Sequence, residues 1–309
     1  MQQTRERQEK FGKIIYNPRI DRFTLEAETP ESYSDFCKSE LSAPLTVHWL
    51  VTLKCNARCK YCYERDFLLS PGAEEDILSR EEISSFLRDF STAGGFRIYL
   101  TGGEPTLNPN LPFIIRAAYD YGLKSVVNSN GLYFPDEAYK SVKECGARLS
   151  LSLDSHIREI HNESRNQDSY DSLVKLIDSA AKDFVDLRVI SVFQNASPDY
   201  WHEFGNFLQE KGVRSWFIQP LVGMEVPVDL EDRLNSELPR MCTRVLPAIF
   251  DSFFYILPNG DVASYAFQKK NIYGNVGTDS LQAIWEKVPN KTILDYRGLL
   301  HMKFRRTRK

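Results

Sequence analysis

The 309-residue sequence lacks any run of about 18 apolar residues, the length that would cross a bilayer as a helix. Its opening stretch, MQQTRERQEK, also lacks the apolar core of a secretion signal. There is no large excess of either charge, because 39 basic residues stand against 42 acidic ones and the formal net charge is -3. These absences predict a cytoplasmic protein with no general attraction to nucleic acid or to a membrane surface.

Cysteine is also scarce, with six residues, yet three of them lie close together at Cys55, Cys59 and Cys62. Without a secretion signal, a disulfide framework is not expected, and clustered thiols then predict metal or redox chemistry. The content of 42% hydrophobic and 26% charged residues is that of an ordinary globular enzyme. The other cysteines, which stand alone, are Cys37, Cys145 and Cys242.

Strand and helix patterns alternate through the middle of the chain. Ser79 and Glu82 form a capping box that predicts the start of the first helix in this region. Repeated β-α units imply parallel strands, and six units are too few for a closed eight-unit barrel. The sequence therefore predicts an α/β fold, a partial (β/α)6 barrel. The six predicted strands span 45–53, 96–100, 124–128, 148–153, 187–193 and 215–221.

The flanks of this barrel differ in pattern. Residues 11–26 predict a short N-terminal hairpin about the turn NPR, and 253–267 predict a second hairpin turning at Asn259-Gly260. The resulting division is a hairpin and connector (1–44), the barrel (45–222) and a small C-terminal α+β extension (223–309) that begins with a linker-like acidic stretch. The basic tail, KFRRTRK, is expected to be a solvated disordered end, with docking of an acidic peptide or partner as the alternative.

The cysteines have the spacing C-x3-C-x2-C and follow the first barrel strand, on the side where such folds place active sites. Thiolates at this spacing favour zinc or an iron-sulfur cluster. A structural zinc needs a fourth ligand, for which His48 is a weak candidate. Three protein ligands on a cluster leave one position open for a substrate or cofactor.

The loop CNARCKYCYE resembles the cluster motif of the radical S-adenosylmethionine (SAM) enzymes, including the aromatic Tyr61 before its last cysteine. The resemblance implies that Cys55, Cys59 and Cys62 hold three irons of one 4Fe-4S cluster and that SAM chelates the fourth. After the second strand, TGGEP matches the turn that this family places at the SAM ammonium group. Its implied cofactor-binding residues are Gly102, Gly103, Glu104 and Pro105.

Later segments match the family more loosely, within a resemblance that spans about residues 45–222. SLDS implies that Ser152 and Asp154 lie near the ribose and the substrate, with Asp154 a candidate catalytic residue. Arg165 is implied near the SAM carboxylate, a surface ion pair being the alternative. The remaining implied cofactor-binding residues, at the ends of the third, fifth and sixth strands, are Asn130, Asn195 and Gln219.

The family chemistry implied is reductive cleavage of SAM to a 5'-deoxyadenosyl radical that abstracts a substrate hydrogen atom. It requires an external electron donor of the flavodoxin or ferredoxin type. The protein's part is to position the reactants and to exclude water around a reactive intermediate.

The segment LPNGDVASYAFQKKNIYGNVGTDSLQAIW resembles the SPASM or twitch extension of peptide-modifying members, except that its expected cysteine is replaced by the stretch Ala263, Ser264 and Tyr265. An auxiliary cluster is therefore not expected. The extension is predicted to have a degenerate twitch-like fold. Cys242 is left as a candidate hydrogen donor at the cavity mouth, a buried structural cysteine being the alternative.

The favoured substrate is a ribosomally made precursor peptide, which would be epimerised or would have a bond made or cleaved. Because the N-terminal segment is too short for a winged-helix leader-binding domain, a separate leader-binding protein is a possible partner. A small-molecule substrate such as a sugar, nucleoside or amino acid is one alternative. A non-catalytic iron-sulfur scaffold is the alternative from another class.

Overall fold

The computed structural model describes residues 3–27, 38–62, 77–193, 197–221, 229–238, 240–245, 254–263, 271–289, 291–292 and 302–306. Its first part is an antiparallel sheet of β1 (Arg5–Glu9), β2 (Gly12–Asn17) and β3 (Arg22–Ala27). Buried and less buried residues alternate along β2 and β3, as the period of a strand requires. The predicted hairpin is confirmed, and β1 is an additional strand that was not predicted.

All six predicted barrel strands are confirmed and form consecutive parallel pairs. Apolar side chains such as Val47, Trp49 and Val51 alternate along the first of them and pack into the main core. Side chains on the opposite face point into the barrel. The six strands are β4 (Thr46–Thr52), β5 (Arg97–Gly102), β6 (Lys124–Ser129), β7 (Arg148–Ser152), β8 (Asp186–Phe193) and β9 (Ser215–Pro220).

Helices follow these strands in the sequence and cover the outer face of the sheet. The capping box is formed, since the Glu82 amide donates to Ser79 Oγ at 3.2 Å and the Ser79 amide donates to Glu82 Oε2 at 2.8 Å. The fourth helix was not predicted, because REIHNESR is short and Ile160 is its single apolar residue. The helices are α1 (Arg80–Thr92), α2 (Leu111–Asp120), α3 (Asp136–Cys145), α4 (Arg158–Arg165), α5 (Tyr170–Lys182) and α6 (Pro198–Glu210).

The C-terminal part extends this sheet at both edges. It comprises α7 (Leu230–Glu237), β10 (Cys242–Val245), β11 (Tyr255–Ile256), β12 (Asp261–Ala263), β13 (Ile272–Asn275), α8 (Leu281–Lys287) and β14 (Met302–Arg306). Strand β10 pairs with β9 and β11 pairs with β4, both in parallel, which gives the order β10-β9-β8-β7-β6-β5-β4-β11-β12-β13. The predicted turn at Asn259-Gly260 is present between β11 and β12, with Gly260 at φ 90°.

Two expectations for this part are corrected. The stretch 223–239 was predicted as a linker, yet it contains helix α7. Residues 303–306 were predicted as a disordered end, yet β14 pairs in parallel with β3 and completes the N-terminal sheet. Among the described residues, no helix combines the length and apolarity that a membrane crossing requires.

A buried ion cluster lies at the amino-terminal end of the barrel strands. Asp21, in the turn between β2 and β3, is 2% exposed and accepts hydrogen bonds from Arg97 (2.5 Å), Arg148 (2.6 Å) and Arg188 (3.1 Å). The Tyr16 hydroxyl donates a fourth, at 2.7 Å. The N-terminal sheet therefore closes this end of the barrel with one carboxylate set against three guanidinium groups.

Candidate functional site

A cavity of about 470 Å³ opens at the carboxyl ends of the parallel strands. Most of the residues singled out from the sequence lie together in its wall. Pro105, Asp154 and Cys242 do not line it, and Asn195 falls outside the described residues. The predicted residues that do line it are Cys55, Cys59, Tyr61, Cys62, Gly102, Gly103, Glu104, Asn130, Ser152, Arg165 and Gln219.

The cysteine loop leaves the end of β4 and brings Cys55, Cys59 and Cys62 to this cavity as free, half-buried thiols. The Ala57 amide donates to Cys55 Sγ at 3.4 Å, and the Cys62 amide donates to the Cys59 carbonyl at 3.3 Å. Burial raises the pKa of the Cys55 thiol. Within the described residues, no three acidic, histidine or cysteine side chains are gathered for one metal ion. The cysteines that hold a 4Fe-4S cluster each bind a different iron, so they do not need to surround one metal ion.

His48 lies away from this loop, in the middle of β4. Its ring stacks on Tyr99, with ring centroids 4.5 Å apart, and lies 5.2 Å from the ring of Tyr255. Burial, together with the charge of Arg97, lowers the pKa of His48 to about 3. The structure therefore contradicts the suggestion that His48 is a fourth metal ligand. His48 instead packs with aromatic neighbours in the barrel interior.

Gly102 and Gly103 are needed because strand β5 ends against the backbone that leads to the cysteine loop. A Cβ atom on Gly102 would lie 2.1 Å from the Thr52 carbonyl oxygen, and one on Gly103 would lie 2.2 Å from the Lys54 carbonyl oxygen. The Gly103 amide donates to the Thr52 carbonyl at 2.8 Å. The two glycines therefore allow one stretch of the chain to approach another closely, and this contact fixes the base of the loop.

Replacing Gly103 with alanine is expected to displace this base, because the obstructing atom is backbone and cannot rotate away. We expect a loss of more than about 2 kcal/mol in the free energy of unfolding and weaker retention of a reconstituted cluster. Gly146→Ala is the matched control, since its Cβ meets no atom within 4 Å and only its φ of 60° is strained, at a cost of about 1 kcal/mol. Urea denaturation and iron content measure both, and equal losses in the two variants would contradict the argument.

Glu104 is 1% exposed and links the ends of two strands. Its Oε1 accepts from the Thr106 amide (3.2 Å), the Thr106 hydroxyl (2.8 Å) and the Ser129 hydroxyl (2.8 Å), while Oε2 accepts from the Asn130 amide at 2.8 Å. Burial raises the pKa of this carboxyl, although the hydrogen bonds oppose the rise. Oε2 keeps an acceptor site at the cavity wall. Pro105 begins the short 3₁₀ turn Pro105–Leu107 behind it.

The floor of the cavity carries four uncharged polar side chains near the ends of four strands: Thr101, Asn128, Ser152 and Gln219. Asn128 was not singled out from the sequence, although its Oδ1 is buried without a partner among the described residues. Nor was Asn56, which accepts a 2.8 Å hydrogen bond from Asn130 Nδ2. Asn128 lies near the end of strand β6 and Asn56 follows strand β4, and those positions were the available signal.

Asp154 is buried behind the cavity wall and pairs with Arg165 through two contacts, Nε to Oδ2 at 2.8 Å and Nη2 to Oδ1 at 2.9 Å. It also accepts from the hydroxyls of Tyr61 and Ser164 and from the Val192 amide. Burial alone would raise the pKa of Asp154, but Arg165 and these donors hold the pKa below its ordinary value. The expectation that Asp154 reaches the substrate is therefore corrected: this carboxylate positions Arg165 and Tyr61.

Arg165 itself lines the cavity and is 8% exposed, so the surface ion pair considered from the sequence is excluded. Cys242 is exposed and begins β10 opposite Ser215, which begins β9. The cavity lies at the other end of these strands, about 16 Å away along β9. This placement contradicts the expectation that Cys242 reaches the cavity mouth.

The residues present fit a cluster and SAM. Three thiols and a buried carboxylate with a remaining acceptor site share one cavity wall, and the glycines behind them admit no larger side chain. An unpartnered amide oxygen of Asn128 points to a ligand that brings a hydrogen-bond donor. Cys55, Cys59 and Cys62 would hold the cluster, and the glycine-rich turn with Glu104 would hold the ammonium end of SAM.

Comparison with solved structures shows shared architecture at low sequence identity. SuiB of Streptococcus suis, bound to its precursor peptide SuiA, aligns with a TM-score of 0.73 and 15% identity over 92% of this chain and 88% of that one. The enzyme anSMEcpe, with bound AdoMet and the Kp18Cys peptide, aligns with a TM-score of 0.61 and 15% identity over 82% of each chain. At these identities the likeness concerns the fold alone, and it supports the partial barrel.

Comparison with curated proteins gives higher identity over a shorter span. The GTP 3',8-cyclase of Nautilia profundicola is 32% identical over 174 residues, covering 55% of this chain and 54% of that protein. The AdoMet-dependent heme synthase of Oleidesulfovibrio alaskensis is 26% identical over 178 residues, covering 57% and 45% respectively. The chain spans about half the length of these curated relatives.

The family assignment rests on a match of residues 49–208, more than half of the chain, to the model of the radical SAM superfamily. This range includes the three cysteines, the glycine-rich turn and Arg165. Family members use a 4Fe-4S cluster and SAM, which are the two groups that the cavity residues fit. The protein is therefore an enzyme of the radical SAM superfamily.

Proposed function

We propose that the enzyme abstracts a hydrogen atom from an uncharged part of a peptide. The observation that carries the proposal is the charge of the cavity wall. Among the described lining residues, Arg165 is the one cation and Glu104 the one carboxylate, and Arg165 is already paired with Asp154. Recognition of a triphosphate normally uses several lysines or arginines. A neutral floor suits a peptide backbone or an uncharged side chain.

The fold neighbours SuiB and anSMEcpe, whose structures contain bound peptides, support this choice. The sequence relatives favour a second candidate, a small-molecule substrate, because their names describe action on GTP and synthesis of heme. The two candidates differ in what must enter the cavity and in the charges it must meet. They are therefore separable by direct assay.

When bound, the cluster and SAM supply a 5'-deoxyadenosyl radical that removes a hydrogen atom from the substrate. In the proposal, Glu104 and the amides of the glycine-rich turn orient the methionine end of SAM. In the same proposal, Ser152 and Asn130 contact the ribose or the substrate and Gln219 contacts the adenine, which is consistent with their place in the cavity wall. Arg165, backed by Asp154, closes the wall beside Cys59 and limits access of water.

We also propose the division into an N-terminal segment (1–44), the barrel (45–222) and a cluster-free, twitch-like extension (223–309). The enzyme needs an electron donor, and a flavodoxin or ferredoxin is the proposed one. A separate leader-binding protein is the proposed route for holding a precursor peptide. Ser264 and Tyr265 lie outside the described residues, whereas Ala263 ends β12.

The proposal is tested anaerobically with reconstituted enzyme, SAM and dithionite. Short peptides encoded beside the gene, and GTP as the small-molecule probe, are each added while 5'-deoxyadenosine is quantified by mass spectrometry. A peptide substrate is expected to raise deoxyadenosine formation at least about tenfold, by completing the closed site, and deuterated peptide is expected to transfer deuterium into it. Stimulation and a changed product with GTP, but with no peptide, would overturn the peptide proposal and leave the radical chemistry intact.

A further inference from the structure

Helix α4, which the sequence did not predict, contacts the cysteine loop through three consecutive residues at its end. The Lys60 amide donates to the Ser164 carbonyl at 3.3 Å, and Lys60 Nζ lies 3.0 Å from Glu163 Oε1. Arg165 Nη1 lies 3.8 Å from Cys59 Sγ, within the range of an N–H···S hydrogen bond. The middle cysteine of the motif is thus placed beside a guanidinium group.

This guanidinium group is held in place from several sides. Asp154 contacts Nε and Nη2, which leaves Nη1 directed at the sulfur. The guanidinium carbon lies 5.5 Å from the ring centroid of Tyr61, whose hydroxyl donates to the same Asp154. Asp154 is in turn fixed by the Ser164 hydroxyl at 2.7 Å and the Val192 amide at 3.0 Å. Such a group keeps its orientation whether or not SAM is bound.

We propose that Arg165 raises the reduction potential of the cluster held by Cys59, with Asp154 acting as its positioning residue. Reduction adds an electron to the cluster, and a nearby positive charge or an N–H donor to a coordinating sulfur stabilises the added negative charge. Asp154 offsets part of the positive charge of Arg165, so the Nη1–H group directed at Cys59 Sγ carries the effect, in nearly buried surroundings of low dielectric. The inference rests on cluster binding by Cys59 and is independent of the identity of the substrate.

Arg165 could instead serve only to bind the SAM carboxylate, as the family resemblance implies. The two roles differ in the absence of SAM. A residue that binds only the carboxylate leaves the potential of the SAM-free cluster unchanged, whereas a residue that contacts Cys59 shifts it. The decisive quantity is therefore the midpoint potential of the reconstituted cluster without SAM.

The experiment is an anaerobic redox titration of the SAM-free enzyme, followed by electron paramagnetic resonance of the reduced cluster. Arg165→Gln is expected to lower the ratio of reduced to oxidised cluster at fixed solution potential on the order of tenfold, which corresponds to about 59 mV for one electron. Arg165→Lys keeps the charge but lacks the planar fork, so a smaller shift in the same direction is expected. Arg158→Gln, at the other end of α4 in an exposed pair with Asp171, is expected to match the wild type.

The result that overturns the proposal is a wild-type midpoint potential in Arg165→Gln that carries a full complement of iron. If Arg165→Gln does not hold a cluster, Arg165→Lys decides: a lowered potential supports the proposal and an unchanged one overturns it. A shift of the same size in Arg158→Gln would also overturn it, because the effect would then be general to positive charge on the helix. Failure of the peptide proposal changes none of these outcomes, since no substrate is present.

Discussion

Cys59→Ala is expected to lower both the iron content and 5'-deoxyadenosine formation by at least about 100-fold, since replacement of residues that merely support a ligand costs 10–100-fold. The physical reason is that two remaining thiolates cannot hold a cubane cluster that keeps one iron open for SAM. Cys59 also contacts Arg165, so the variant removes a cluster ligand and the sulfur that Arg165 contacts. Iron and sulfide analysis, the visible absorption of the reconstituted protein, and mass spectrometry of the nucleoside products measure the loss.

Cys145→Ala is the matched control. Cys145 is also free and partly buried, but it ends α3 beside Gly146, away from the cavity. We expect full cluster content and unchanged deoxyadenosine formation in this variant. If Cys59→Ala forms deoxyadenosine at the wild-type rate, the cysteine loop is not required for SAM cleavage and this prediction is wrong. A wild-type protein that holds a cluster and binds SAM but forms no deoxyadenosine, even with substrates present, would support the non-catalytic scaffold alternative.

The barrel was predictable because its signals are local. Each strand is a short apolar run, helices α1 and α6 begin at a serine cap, α3 ends at a glycine, and the number of β-α units limits the architecture. Helix α4 lacks such a signal, since its eight residues are mostly polar and it contacts partners distant in the sequence, the cysteine loop among them. Strands β10 and β14 were missed for a related reason, because pairing with β9 and β3 defines them.

The site was predictable in its residue types and less so in their roles. The motif spacing brought the cysteines, the glycines and Glu104 to one cavity, as the fold required. Roles depend on partners that the sequence does not identify: the motif SLDS implies an Asp154 that faces the substrate, whereas its carboxylate pairs with Arg165 and accepts from Tyr61 and Val192. The predicted position of Cys242 was wrong for a similar reason. Strand β10 pairs with β9 so that Cys242 lies opposite Ser215, at the end of β9 away from the cavity.

Asp21 illustrates the same limit most clearly, and it gives the second large prediction. Its arginine partners lie 76 to 167 residues away, in strands β5, β7 and β8, and each reads in the sequence as an ordinary charged residue. Asp21→Ala would leave three nearly buried guanidinium groups without this carboxylate. Breaking a buried ion pair by removing one partner typically costs about 3–5 kcal/mol, and we expect a loss of that size in the free energy of unfolding.

The charge balance of the buried ion cluster around Asp21 explains why the loss of stability is large. Of its three arginines, Arg148 has a further carboxylate partner in Asp186 at 2.9 Å. Burial, and after it the charges of Arg148 and Arg97, lower the pKa of Arg188, so removal of Asp21 would leave three like charges close together. Asp21→Asn keeps the volume but not the charge, so it is expected to be destabilised almost as much as the alanine variant.

The buried ion cluster around Asp21 also predicts how the stability of the protein depends on pH. Burial alone would raise the pKa of Asp21, but Arg97, Arg148 and Arg188 hold the pKa well below its ordinary value of 3.8. A carboxyl whose pKa is depressed in the folded state stabilises the protein above its unfolded pKa, and this contribution is lost as the pH falls towards the folded value. The wild type is therefore expected to lose stability below about pH 4, and Asp21→Ala to lose less over the same interval.

Urea denaturation at pH 7 and at steps down to pH 3, followed by circular dichroism, tests both parts of this prediction. Asp178→Ala is the matched control, because Asp178 forms an exposed pair with Lys211 at 2.9 Å, and such pairs contribute no more than about 1 kcal/mol. Equal losses in Asp21→Ala and Asp178→Ala at pH 7 would mean that water reaches the arginine cluster and replaces the carboxylate. A large loss confined to Asp21→Ala would instead establish the N-terminal turn as the part that neutralises the closed end of the barrel.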